Sequence, residues 1–195
     1  MIIIGIDPGT ATTGWGAVEY QVAGNMVQGS GKNRKATNQV SRTKHNGSVK
    51  LVDFGCILTE AGEEMPKRLL ILRKELKKIL QKYQPDGLIV ERLFFGINSR
   101  TAMAVGQARG VVMLTAAETN TPLYEYTGLE VKLEVANHGR SDKHAVRKAV
   151  KRLLGVTNIR IPRDQTGKEI NRFRDDAYDA VAAALCHLSK QSLLK

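Results

Sequence analysis

An apolar run that stops on a carboxylate is the feature of this sequence that most narrows its fold. Residues 1–6, Met-Ile-Ile-Ile-Gly-Ile, carry no polar side chain, and Asp7 follows at once, ahead of Pro8-Gly9-Thr10. An unbroken apolar stretch of this length reads as a strand buried on both faces, as in a sheet covered by helices. Pro and Gly then end it, which leaves Asp7 at the strand's C-terminal end, where open α/β sheets bind their ligands. The pattern recurs at residues 87–90, Gly-Leu-Ile-Val, which close on Glu91. A glutamate ending a buried strand is unfavourable unless it is paired or bound to metal. Asp176 and Asp179 stand three apart at the head of an alanine-rich segment, 177–188, so on a helix their carboxylates share one face. Asp175 and Asp179, four apart, share a face as well, and aspartates in a first helical turn also serve as caps.

These acids sit in a basic chain. Its 195 residues carry 30 Lys and Arg against 19 Asp and Glu, a net charge of +11. Such a field attracts nucleic acid or an anionic membrane surface. Acids presented by three apolar elements of a cationic chain point to a divalent-metal site that meets a polyanion. Carboxylate oxygens are the hard ligands Mg²⁺ takes, and two ions can clamp both sides of a phosphoryl displacement. An apolar share of 42% excludes wholesale disorder. No stretch approaches the roughly 20 apolar residues needed to span a bilayer. The opening residues lack the charged region and length of a signal peptide. Cys56 and Cys186 are far apart and show no metal-ligand spacing, as expected of two reduced, buried thiols in a cytoplasmic protein.

The periodicity predicts strands over 2–7, 13–22 and 49–58, the first two forming a hairpin. Residues 23–50 are rich in Gly, Ser, Asn, Lys and Arg, with no acid between Glu19 and Asp53. That composition buries too little apolar area to offset its ordering entropy, so a flexible basic loop at a hairpin tip is expected. Pro66 suits the first turn of a helix, in which Leu69, Leu72, Leu76, Ile79 and Tyr83 recur at helical spacing until Pro85. A strand over 87–91 follows, then a helix over 99–118 with Ala102, Gly106 and Gly110 stacked four apart. A short strand is expected at 122–126, a weak helix at 129–136 and a helix at 141–154 with basic residues, Arg147 among them, toward its end. A polar connection at 156–174 leads to a last helix beginning near Asp175. This order implies a mixed central sheet with helices on both faces.

Three blocks of the sequence together resemble the RuvC family of Holliday junction resolvases. They are residues 4–10 (Ile-Gly-Ile-Asp-Pro-Gly-Thr) continuing to Thr13-Gly14-Trp15-Gly16; Glu91-Arg92-Leu93-Phe94-Phe95 with Gly106-Gln107-Ala108-Arg109-Gly110; and Asp176-Ala177-Tyr178-Asp179-Ala180. The resemblance implies an RNase H-like α/β fold over residues 1–195, interrupted by the basic insertion at 23–50. It implies a homodimer, dependence on Mg²⁺ (two ions per site, with Mn²⁺ as a substitute), and paired nicking of four-way DNA junctions, with a branch-migration helicase complex as a further partner. It assigns the catalytic and metal-binding acids to Asp7, Glu91, Asp176 and Asp179, and so favours Asp176 over Asp175. It also places Lys132 and Lys143 on segments that line the DNA cleft and Phe94 as a ring facing an unpaired base; Arg109, within the second block, and Arg147, on the basic helix, are further DNA-binding candidates. The insertion is the main departure from the family pattern.

Other readings of the same residues are an actin-like or sugar-kinase phosphate loop at 5–10, a related nuclease with another nucleic-acid substrate, and a catalytically dead junction binder. The first needs two domains closing over a nucleotide, and the chain is short for that. The last needs only the basic surface, not the acids.

Overall fold

The computed structural model describes residues 1–22, 47–92, 99–172 and 174–194, with residues 99–101 and 174 described by their backbone alone. Its elements, in chain order, are β1 (Ile2–Asp7), β2 (Thr12–Val22), β3 (Gly47–Leu58), α1 (Met65–Tyr83), β4 (Gly87–Arg92), α2 (Ser99–Glu118), β5 (Leu123–Thr127), α3 (Gly128–Ala136), α4 (Lys143–Leu153) and α5 (Arg174–Lys190). The strands form one five-stranded sheet in the order β3-β2-β1-β4-β5. β1, β2 and β3 pair antiparallel, whereas β4 runs parallel to both β1 and β5. Parallel neighbours need a crossover, and α2 supplies the one between β4 and β5.

The two-residue period of the strands sorts the core into two layers. Ile4 and Ile6 of β1 and Leu88 and Val90 of β4 face α1 and α2, where they meet Leu72, Leu76, Leu80, Ala108, Val112 and Ala116. Ile3 and Ile89 face the opposite layer, built on α5 with Val131 and Val135 of α3 and Val146 and Val150 of α4. Asp7 and Glu91 keep step with Ile3 and Ile89, so both project on the α5 side.

Local signals set the helix ends. Pro66 lies in the first turn of α1, and Gln84 ends it in the left-handed region at φ 43°, its N–H donating to the Leu80 carbonyl. Thr127 and Glu130 form a reciprocal capping box on α3. Asp142 accepts the Ala145 N–H, so α4 begins at Lys143, two residues later than the periodicity suggests. The expected basic loop also ends sooner than its composition implies. Residues 47–50 continue β3 and pair with residues 19–22 of β2, because cross-strand pairing overrides a polar sequence. Residues 23–46 lie outside the described residues. Among the described residues no helix is long and apolar enough to cross a membrane, and Cys56 and Cys186 are free thiols, both buried.

Candidate active site

Register places the first two acids. Gly5 pairs with Ile89 and Ile6 with Val90 across β1 and β4, and the next step brings Asp7 beside Glu91 at the C-terminal ends of two parallel strands. Glycine places the other two. A Cβ on Gly5 would overlap the Ala180 carbonyl, one on Gly14 the Asp176 carbonyl, and one on Gly16 the Val181 side chain. With hydrogen in those places, the backbone of α5 lies directly on β1 and β2. Alanines on its own side (Ala177, Ala180 and Ala184, all fully buried) complete the close approach. The alanines are legible in the sequence as a reason for α5 to lie close; the matching glycines on the strands are the signal that reading along the chain missed. At its far end α5 is held by His187, whose Nδ1 shares a 2.9 Å hydrogen bond with the Tyr126 hydroxyl on β5.

The four carboxylates feel one another. Burial pushes the Asp7 carboxyl up to about 8, helped by the charges of Glu91, Asp179 and Asp176 and opposed by Lys143. Burial also raises Glu91, with Asp179 adding to it and Lys132 opposing. Asp176 and Asp179 are raised for the same first reason, with Lys143 pulling both down. Lys132 and Lys143 therefore stand within electrostatic reach of the acids. Asp175 faces elsewhere: it is paired with Arg147 and lies 3.7 Å from the Lys143 ammonium. The turn of α5 thus sends Asp176 toward Asp7 and Asp175 toward the basic residues of α4.

Arg147 is held in place by that pair and stacks over the Tyr178 ring at 5.7 Å. Arg109 forms an ion pair with Glu125 of β5 and so ties α2 to the sheet. Phe94 and Phe95 lie outside the described residues.

The donor set suits a divalent cation of the Mg²⁺ kind: carboxylate oxygens only, each more basic than usual, converging from β1, β4 and α5. Among the described residues no three or more His, Cys, Asp or Glu side chains stand close enough together to hold a metal ion as they are placed. Mg²⁺ keeps several waters and binds through a few carboxylates plus substrate phosphate.

A five-stranded mixed sheet with acids at adjacent parallel strand ends and on a helix crossing them defines an RNase H-like nuclease. The family model for crossover junction endodeoxyribonuclease RuvC matches residues 33–187. A protein of that name from Caldicellulosiruptor saccharolyticus is 38% identical over 195 residues, all of this chain and 96% of its own length. The Thermus thermophilus RuvC structure superposes with a TM-score of 0.71 at 25% identity, covering all of this chain and 99% of its own. A structure of T. thermophilus RuvC in complex with Holliday junction substrate gives 0.70 at 24% identity, with the same coverage. The chain belongs to the RuvC family of crossover junction endodeoxyribonucleases, and membership implies a divalent-metal requirement.

Proposed function

We propose that this chain resolves four-way DNA junctions by hydrolysing phosphodiesters, with Asp7, Glu91, Asp176 and Asp179 as the catalytic and metal-binding acids. The observation that carries the reading is the convergence of these carboxylates, each raised by burial, in a chain of net charge +11. Repulsion among the acids has to be relieved by a cation or a proton. In this reading the cation is Mg²⁺, two ions per site, with Mn²⁺ as a substitute. When bound, the metal lowers the pKa of the attacking water and stabilises charge on the leaving oxygen.

The chain's own residues do the rest. Asp7 keeps its proton in the bare site and gives it up as the cation enters, which makes metal affinity rise with pH. Lys132 and Lys143 balance the acids and receive the flanking phosphates, and Arg147, steadied by Asp175, extends that surface along α4. Phe94, following Glu91 in the sequence, stacks on a base unpaired at the crossover.

The active form is a homodimer, since two symmetric cuts are most simply made by a two-fold enzyme. The outer face of α2 suits the contact. Met103 is 68% and Leu114 54% exposed, and a Cβ at Gly106 or Gly110 would meet no other atom within 4 Å. The protein works in the cytoplasm, alongside a branch-migration helicase complex.

The deciding experiment incubates the purified protein with Mg²⁺ and a synthetic four-way junction, a linear duplex and an RNA–DNA hybrid. Paired nicks confined to the junction are expected. Cleavage of the hybrid instead would make it a nuclease of the same fold with another substrate.

A further inference from the structure

A single exposed leucine is ordinary on a protein surface, but Leu129 stands at the rim of the acidic site. It is the second residue of α3 and is 62% exposed. Gly128, just before it, lies against the acids: a Cβ there would stand 2.5 Å from Glu91 Oε1. On its other side Leu129 meets the turn from α3 to α4, since a Cβ on Gly139 would stand 2.5 Å from its Cδ1. That turn leads to Lys143, whose charge reaches Asp7, Asp176 and Asp179. One helical turn beyond Leu129 comes Lys132, whose charge reaches Glu91 and Asp179. Residues three apart share a helix face, so Leu129 fills the gap between two lysines that act on the same acids.

Its mounting is stiff. The Thr127 hydroxyl accepts the Glu130 N–H at 3.1 Å and the Glu130 carboxylate accepts the Thr127 N–H at 2.8 Å, so the turn that carries Leu129 is closed at both ends. Lys190 of α5 donates to the other Glu130 oxygen at 2.9 Å, and Val131 and Val135 anchor the helix in the core. The leucine is therefore presented to solvent in a fixed place between cations. Phosphates held by Lys132 and Lys143 would bring sugars and bases with them, and an apolar side chain between those phosphates suits their uncharged parts. In an unbroken duplex the bases are stacked inside. At a crossover the stack is interrupted, and an apolar side chain can cover a bared base.

Resting on the junction-nuclease reading, we propose that Leu129 is a specificity-determining residue, packing on a base bared at the crossover while Lys132 and Lys143 hold the adjoining phosphates. The lysines attract any DNA, because phosphate contacts position a strand without reading it. The leucine contact forms only where stacking is already broken, so it favours a junction over a continuous duplex. Leu133, 54% exposed, stands a further turn along α3 from Gly128 and provides the comparison.

The test compares junction binding with duplex binding. Leu129→Ser should weaken binding to a four-way junction by about ten-fold, the worth of one covered leucine side chain, and leave affinity for a linear duplex unchanged. The slope of log K against log salt should stay at the parent's value, because no phosphate contact is lost. Leu129→Met, apolar and of similar size, should keep the preference for the junction, and Leu133→Ser should bind both DNAs as the parent does. 2-Aminopurine placed at the crossover should change its fluorescence on binding the parent, and change it less when saturated with Leu129→Ser. A Leu129→Ser variant that keeps the parent's preference, or that loses affinity for junction and duplex alike, would overturn the proposal while leaving the nuclease reading intact. So would an equal loss in Leu133→Ser. A parent protein that binds a four-way junction no more tightly than a duplex would overturn the reading beneath it.

Discussion

At the scale of single residues, the site is governed by how strongly its carboxylates hold protons. The Asp7 carboxyl is pushed from an ordinary 3.8 up to about 8. In metal-free protein the folded chain therefore holds a proton that the unfolded chain has released. The stability tied to that proton is fully present at low pH, declines as pH rises past 3.8, and is gone above about 8. The melting temperature of metal-free protein should accordingly fall between pH 5 and pH 8. Asp7→Asn, uncharged throughout, should flatten that fall and melt higher at pH 8, by an amount on the order of 1 kcal/mol or roughly 2–4 °C. Added Mg²⁺ should raise the parent's melting temperature at pH 8 and leave that of Asp7→Asn nearly unmoved. A parent curve flat over this range would show that Asp7 titrates normally. The same logic separates the adjacent aspartates. Asp176→Asn should abolish cleavage, whereas Asp175→Asn, which loosens Arg147 and Lys143, should slow it several-fold and weaken junction binding.

The element that decides the site is α5. Its first turn carries Asp176, the next Asp179, and its contact with the sheet is backbone on backbone through Gly5, Gly14 and Gly16. A methyl group at Gly14 must push the start of the helix away, because the atoms it meets are the Asp176 carbonyl and the Ala177 nitrogen rather than a movable side chain. Gly14→Ala should thus destabilise the fold by about 1–3 kcal/mol, the usual range for overpacking. It should also reduce cleavage more than the melting temperature alone accounts for, since Asp176 moves with the helix. Thermal melts and single-turnover rates at 20 °C would measure both. A variant that is less stable but cuts at the parent rate would show that the acids tolerate a displaced α5.

For the molecule as a whole, the arrangement separates its jobs in space. Asp7, Gly14 and Cys56 mark the acidic end of the sheet, while Val22 and Gly47, which flank residues 23–46, lie at the other end of the β2–β3 ladder. Eight residues of strand separate Gly14 from Val22, roughly 26 Å. The basic insertion is therefore anchored far from the acids. The dimer seam proposed on α2 belongs to the layer opposite α5, so the proposed contact and the four acids lie on different faces of the sheet. Replacing Gly110 with arginine should give a monomer by light scattering and turn paired cuts into uncoupled single nicks. A dimeric Gly110→Arg would exclude α2 as the contact.

Much of this molecule is legible along the chain alone. The apolar runs ending on Asp7 and Glu91 mark strands with acids at their C-terminal ends, because an unbroken apolar run and the carboxylate that closes it are local properties. The helices between Pro66 and Pro85 and over 99–118, and the mixed sheet with helices on both faces, follow from periodicity and element order. The acid pairing on the last helix was legible only to within one residue. Asp175 and Asp176 are equally good first-turn residues, and only the docking of α5, fixed by the missing Cβ atoms of strands far away in the chain, decides which of them faces Asp7. Arg109 shows the same limit: its ion pair with Glu125 exists only once β5 lies beside α2. The segment between α4 and α5 reads as a polar connection, since its order comes from hydrogen bonds such as those of the Gln165 side chain to the Leu58 backbone, more than a hundred positions away. Local propensity is written along the chain, whereas contacts between distant segments exist only once the sheet has brought them together.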